Sequence, residues 1–171
     1  MKRTLLTAVA VALAGCQSIP ADAPRAAASL QPTKGNKAAG TANFYQIGNK
    51  VRVIASVSGL VPGREHGFHI HEAGDCSSGD GMSAKGHFNP FGKPHGNPAG
   101  AERHAGDMPA LKAEMNGQAT LEADLDQMTV TPGPGSVVGR GLIVHADPDD
   151  YKTQPTGNAG ARIACGVIKA G

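Results

Sequence analysis

From Glu72 to Pro109 the chain shows neither a strand period nor a helical one, and it is crowded with Gly, Pro, His and Asn. A structureless stretch of that length is uncommon inside a compact domain unless something besides its own backbone holds it. A metal ion and a disulfide are two such devices. The stretch carries Cys76, His87, His95 and His104, so it contains the chemistry for both. Any fold proposed for this chain must therefore present a scaffold to which a long loop can be pinned.

The flanking segments supply short strands. Val51, Val53, Ala55 and Val57 alternate with Arg52, Ile54, Ser56 and Ser58, the period of a half-buried strand. Leu121, Ala123 and Leu125 alternate in the same way with Glu122, Asp124 and Asp126. Asn116-Gly117 lies between that run and Leu111–Met115, which predicts a hairpin. Gly141–His145 and Arg162–Ile168 read as two further strands, and no segment carries a long helical stripe. The chain has 171 residues, with Gly 24, Pro 12 and no Trp, a composition of short elements joined by many turns. Together these features predict one all-β domain, an antiparallel sandwich or barrel.

The start of the chain reads differently. Lys2 and Arg3 precede an apolar run from Leu5 to Ala14, too short for an ordinary transmembrane helix and typical of an export signal. Leu13-Ala14-Gly15-Cys16 resembles the lipobox of bacterial lipoproteins, which implies a signal peptide over 1–15 and lipidation of Cys16. Several acyl chains give stable anchoring where one does not. A plain soluble signal peptide is the other reading. Three cysteines in an exported chain leave one over if two pair, and lipidation of Cys16 leaves Cys76 and Cys165 for a disulfide. Residues 16–40, rich in Ala, Pro, Ser and Lys, read as a flexible tether, with the folded domain over 41–171. The formal net charge of +2 and the lack of a dense Lys/Arg run argue against a nucleic-acid partner.

Seven histidines are the stronger signal. His69 and His71 are two apart, so on a strand both imidazoles face one side. An HxH pair alone is weak, but His87, His95, His104 and Asp107 follow, and three imidazoles with a carboxylate make a closed tetrahedral set suited to zinc. His145 ends a later apolar strand. Two imidazole-rich sets point to a zinc and copper pair rather than to magnesium or calcium.

At these residues the chain resembles the copper,zinc superoxide dismutase family, in its bacterial branch. The blocks that carry the resemblance are Gly67-Phe68-His69-Ile70-His71-Glu72, Gly86-His87-Phe88-Asn89-Pro90, His95-Gly96 and Arg103-His104-Ala105-Gly106-Asp107. Val144-His145-Ala146-Asp147-Pro148-Asp149-Asp150 and Gly157-Asn158-Ala159-Gly160-Ala161-Arg162-Ile163-Ala164-Cys165-Gly166 continue it in family order. The resemblance implies a Greek-key antiparallel β-barrel or sandwich, immunoglobulin-like, with a long metal-binding loop and a Cys76–Cys165 disulfide. It implies copper on His69, His71, His87 and His145, and zinc on His87, His95, His104 and Asp107, with His87 shared. Asp149 corresponds to a carboxylate that orients one ligand of each metal, Arg162 to an arginine that guides the substrate anion, and Thr156 to the channel rim. His66 corresponds to a structural, non-ligating histidine.

The implied activity is dismutation of superoxide to oxygen and hydrogen peroxide by cycling of a copper ion joined through His87 to a structural zinc. The implied setting is the periplasm, with the membrane reached only through a lipid on Cys16, and either a monomer or a homodimer. The segment between Asp150 and Gly157 is short, so guiding charges must come from elsewhere. Lys85 is the first candidate, with Lys93 and Lys152 behind it. Two other functions use similar ligands. A non-catalytic periplasmic copper and zinc buffer would have no need of Arg162. A zinc hydrolase would need an open zinc position, which this ligand set does not leave.

Overall fold

The structure is a computed structural model that describes residues 18–171. The signal peptide expected over 1–15 and the lipidation site at Cys16 lie outside the described residues. The strands are β1 (Arg25–Pro32), β2 (Ala39–Ile47), β3 (Lys50–Ser58), β4 (Glu65–His66) and β5 (Phe68–His71). They continue with β6 (Leu111–Lys112), β7 (Ala119–Leu125), β8 (Gly141–His145), β9 (Arg162–Val167) and β10 (Lys169–Ala170). A short 3-10 turn covers Met82–Ala84.

The main sheet runs β5-β8-β9-β1-β2-β3-β7, with β10 on β1, and every pairing in it is antiparallel. β1 joins its two halves: Arg25 to Leu30 pair with β2, while Gln31 and Pro32 pair with β9. After β3 the chain crosses to β5 at the opposite end of the order, and β7 returns beside β3. That return is the Greek-key step, and it lets the curled sheet enclose one core.

Alternation explains which faces point inward. In β3 the side chains of Val51, Val53, Ala55 and Val57 are buried while Lys50, Ser56 and Ser58 are exposed. Val53 sits opposite Ala123 and Arg52 opposite Asp124, so β7 presents its apolar side to the same core. Outside, Arg52 Nε donates to Asp124 Oδ1 at 2.7 Å, a cross-strand pair on the solvent face.

Two expectations need correction. The tether assigned to 16–40 is folded from Arg25 onward, because Ala26, Ala28 and Leu30 alternate inward as β1, at 2, 3 and 0 % exposure. Small alanines carry so little hydrophobic contrast that composition hid the period. The Asn116-Gly117 signal does produce a turn: Gly117 takes φ +74° and its N–H donates to the Glu114 carbonyl at 2.9 Å. However, β6 finds its ladder partner in β4, not in β7. A turn dipeptide fixes the local reversal but not the strand that each arm then meets.

Candidate metal centre

β5 places His69 and His71 on one side of the sheet, and β8 brings His145 to the same end, with Phe68 opposite Val144 and His71 opposite Gly141. On the far side of β8, Arg162 pairs with His145 next to an irregularity between Val144 and His145.

The long loop is held along β5 by main-chain bonds. The Ile70 N–H donates to Gly106, Phe88 to Ile70, Gly106 to Phe88 and Glu72 to Gly86, each at 2.9 Å. These contacts put His87 beside His71 and Asp107 beside His69. The Cys76–Cys165 disulfide ties the loop to β9 across 89 residues, with Cα atoms 5.8 Å apart.

Two groups of donor atoms result. His69, His71, His87 and His145 form one, and His87, His95, His104 and Asp107 the other; within each, one ligand atom per residue lies within 4.8 Å of all the rest. Every member is buried, and His87 belongs to both.

Hydrogen bonds show which atoms face inward. His71 Nδ1 donates to the Lys85 carbonyl at 2.8 Å and His145 Nδ1 to the Gly160 carbonyl at 3.2 Å. His69 Nε2 and His95 Nε2 lie on the two oxygens of Asp149, at 2.7 and 2.9 Å. These outer partners fix each tautomer, leaving the inner nitrogens as lone-pair donors. His69 Nδ1, His87 Nε2 and His104 Nδ1 are buried with no hydrogen-bond partner, and His71 Nε2 faces His145 Nε2 at 3.3 Å. Converging buried lone pairs without protons between them are unfavourable unless a cation fills the space. The residues present therefore fit metal ions, and all-imidazole and imidazole–carboxylate sets suit copper and zinc.

Asp107 organises the second group. Its Oδ1 lies 2.9 Å from both His87 Nδ1 and His95 Nδ1, and 3.4 Å from His104 Nδ1. Its Oδ2 accepts the N–H groups of Gly96 and His104, at 3.0 and 2.9 Å. Burial opposes the charge, yet the surrounding imidazoles and main-chain donors hold this carboxyl far below the usual carboxylate range. The same balance, set by His69, His95 and the Tyr151 N–H, lowers Asp149.

The imidazoles divide. Burial, followed by repulsion from their neighbours, pushes His71 and His145 well below the ordinary histidine value. Burial also dominates at His87, which falls to about 4 despite Asp107. Burial disfavours charge on His95 too, but two carboxylates flank it and raise it to about 9. One carboxylate does not outweigh burial among other imidazoles; two do.

Arg162 is half-buried at the rim, its Nη1 donating to the Gly81 carbonyl at 2.6 Å and its Nη2 to that of Lys85. Its positive charge is felt at both His71 and His145. The Lys85 side chain is 63 % exposed and lies 3.7 Å from the Glu72 carboxylate. Lys93 is engaged by the Ala101 carbonyl at 2.7 Å, and Lys152 is exposed. Thr156 is half-buried in the segment that precedes β9. His66 stands outside both groups: fully buried, it donates from Nδ1 to the His145 carbonyl at 2.9 Å.

Two residues take roles that the sequence does not reveal, Gly157 of the last family block and Gln154 before it. A Cβ on Gly157, at φ +65°, would come 1.8 Å from Asp149 Oδ1 and 2.6 Å from His95 Nε2, so only glycine leaves room for that contact. Gln154 pairs with the backbone of His95. Neither belongs to a spacing pattern of titratable residues, which is the signal that drew attention to the others.

Comparison with known proteins agrees with this geometry. Residues 38–168 match the family model for copper/zinc superoxide dismutase (SODC). A superoxide dismutase [Cu-Zn] of Paramecium bursaria Chlorella virus 1 is 44% identical over 135 residues, 75% of this chain and 71% of the relative. Superoxide dismutase [Cu-Zn] 1 of Aquifex aeolicus (strain VF5) is 43% identical over 148 residues, 83% of this chain and 86% of its own length. The crystal structure of the clock protein EA4 superposes with a TM-score of 0.77 at 36% identity, covering 92% of this chain and 99% of that one. With its curled antiparallel sheet, its disulfide and its two donor groups sharing one imidazole, this chain belongs to the copper/zinc superoxide dismutase family.

Proposed function

We propose that His69, His71, His87 and His145 hold the copper ion and that His87, His95, His104 and Asp107 hold the zinc ion. The observation that carries this assignment is the membership of His87 in both groups, Nδ1 facing Asp107 while Nε2 is buried without a partner. The reaction is dismutation: two superoxide anions and two protons give oxygen and hydrogen peroxide. When bound, copper supplies the one-electron oxidation and reduction, while zinc is redox-inert and supplies charge and shape.

The chain's own residues orient, attract and move protons. Asp149 reaches one imidazole of each group through its two oxygens, so it fixes the rings of His69 and His95 against one another. Arg162 keeps its fork pinned by two carbonyls, and its remaining N–H donors offer a small anion a fixed, permanently charged target. His87 Nε2 is the atom at which a proton is held in one half of the cycle and surrendered in the other. Lys85 adds long-range attraction at the rim, reduced by its neighbour Glu72.

The proposed location is the periplasm, with the protein lipid-anchored to the outer membrane through Cys16 and working as a monomer or a homodimer. The lipobox-like Leu13-Ala14-Gly15-Cys16 and a disulfide of the kind that persists in oxidising compartments support it.

Metal content and superoxide decay by pulse radiolysis, before and after copper reconstitution, test the assignment. Wild type is expected to bind both metals and to accelerate decay, and His87→Ala to lose that acceleration. A metal-loaded wild type that leaves decay at the solvent rate would indicate a buffer protein instead.

A further inference from the structure

The segment 149–157 does more for His95 than supply Asp149. We propose that Gln154 is a positioning residue for the zinc-side group, acting through the main chain of His95. Gln154 Oε1 accepts the His95 N–H at 2.9 Å, and Gln154 Nε2 donates to the His95 carbonyl at 2.8 Å. A primary amide carries a donor and an acceptor in fixed relation, so it satisfies both polar groups of one residue as a neighbouring strand would.

The imidazole of the same residue is gripped from the same segment, since His95 Nε2 lies 2.9 Å from Asp149 Oδ1. His95 is thus held at the backbone by Gln154 and at the outer ring edge by Asp149. Between these anchors, Nδ1 is presented to Asp107 Oδ1 at 2.9 Å.

The segment is itself cross-linked. The Asp150 N–H donates to the Gly157 carbonyl at 2.9 Å, the Gly157 N–H to the Thr153 carbonyl at 2.7 Å, and Thr153 Oγ1 to Asp150 Oδ2 at 2.6 Å. Gln154 projects from this closed loop, so its amide reaches His95 from a fixed base. A ligand on a long loop with no strand of its own gains its position from such partners, and losing one weakens metal binding by roughly 10 to 100-fold.

The inference rests on the assignment of His95 to zinc, and the experiment separates the two. Full-length wild type, Gln154→Ala, Gln154→Glu and His95→Ala are compared by the rate of zinc release to a chromogenic chelator and by the visible spectrum with cobalt(II) replacing zinc. Gln154→Ala is expected to release zinc about 10-fold faster and to shift the cobalt bands, since their energies report ligand geometry. Gln154→Glu, which sets a second acceptor against the His95 carbonyl, is expected to release zinc faster than wild type as well. Release and spectra matching wild type in both variants would overturn the proposal, and so would faster release with unchanged cobalt bands, which marks a merely structural role. If His95→Ala also left release and spectrum unchanged, the ligand assignment beneath the proposal would fall instead.

Discussion

Arg162 and Lys85 meet at one main-chain atom, the Lys85 carbonyl, which also receives His71 Nδ1. The arginine is therefore anchored to the residue that orients a proposed copper ligand, and its role separates from metal binding by substitution. Arg162→Gln is expected to lower kcat/KM by about 10-fold or more, within the range for electrostatic focusing, while copper and zinc contents stay at wild-type levels. Metal analysis beside pulse radiolysis checks this; unchanged kcat/KM would remove Arg162 from anion capture. Lys85 acts at longer range through an exposed side chain. Lys85→Glu is expected to reduce catalytic efficiency and to flatten or reverse its decline with added salt. A wild-type salt profile in that variant would show that Lys85 is only solvated. At this scale the sequence is most informative where residues titrate or ligate: spacing and family blocks mark His69, His71, His87, His95, His104, Asp107 and His145, and the fold brings them together as two groups. The roles of Gln154 and Gly157 are not legible there, because a neutral amide and a missing Cβ become meaningful only once His95 has arrived beside them.

The elements divide by what holds them. β3 and β7 are fixed by their own alternation, which is why both were readable before any contact was known. β1 was not, since alternating alanines look like composition bias until β2 and β9 pair with it from either side. The loop between β5 and β6 depends on partners throughout: main-chain bonds along β5, the donor groups and the disulfide. The disulfide closes a stretch of 89 residues, which is worth roughly 3–5 kcal/mol in the chain-entropy model. Cys76→Ser is therefore expected to lower the melting temperature by about 10 °C and to loosen metal retention. Calorimetry with metal analysis reads both, and equal stability with full metal loading would count against the disulfide as the loop's anchor.

For the whole molecule, burial of the imidazoles in the metal-free protein ties its stability to pH. His71, His87 and His145 have lowered values in the folded state, so unfolding takes up protons at them once pH falls below about 6.5. Their stabilisation is complete above that pH and lost progressively as pH falls, at His87 through about 4. His95 is raised to about 9, so its contribution is present below about 6.5 and lost as pH rises through about 9. Asp107 and Asp149 are depressed, and their contribution disappears only below the ordinary carboxylate range. Metal-free protein is accordingly expected to be most stable near pH 6.5, with a steeper fall on the acid side, in urea melts across that range. A stability that rises steadily from pH 6.5 to pH 9 would contradict the position of His95 between two carboxylates. The proposed chemistry depends on one imidazole shared by a redox-active ion and an inert one. The most direct test is anomalous diffraction from crystals loaded with both metals, recorded at the copper and zinc edges. A copper peak is expected beside Nε2 of His87 and a zinc peak beside Nδ1 of the same ring; a single occupied centre, or a His87 ring remote from both peaks, would contradict the shared ligand.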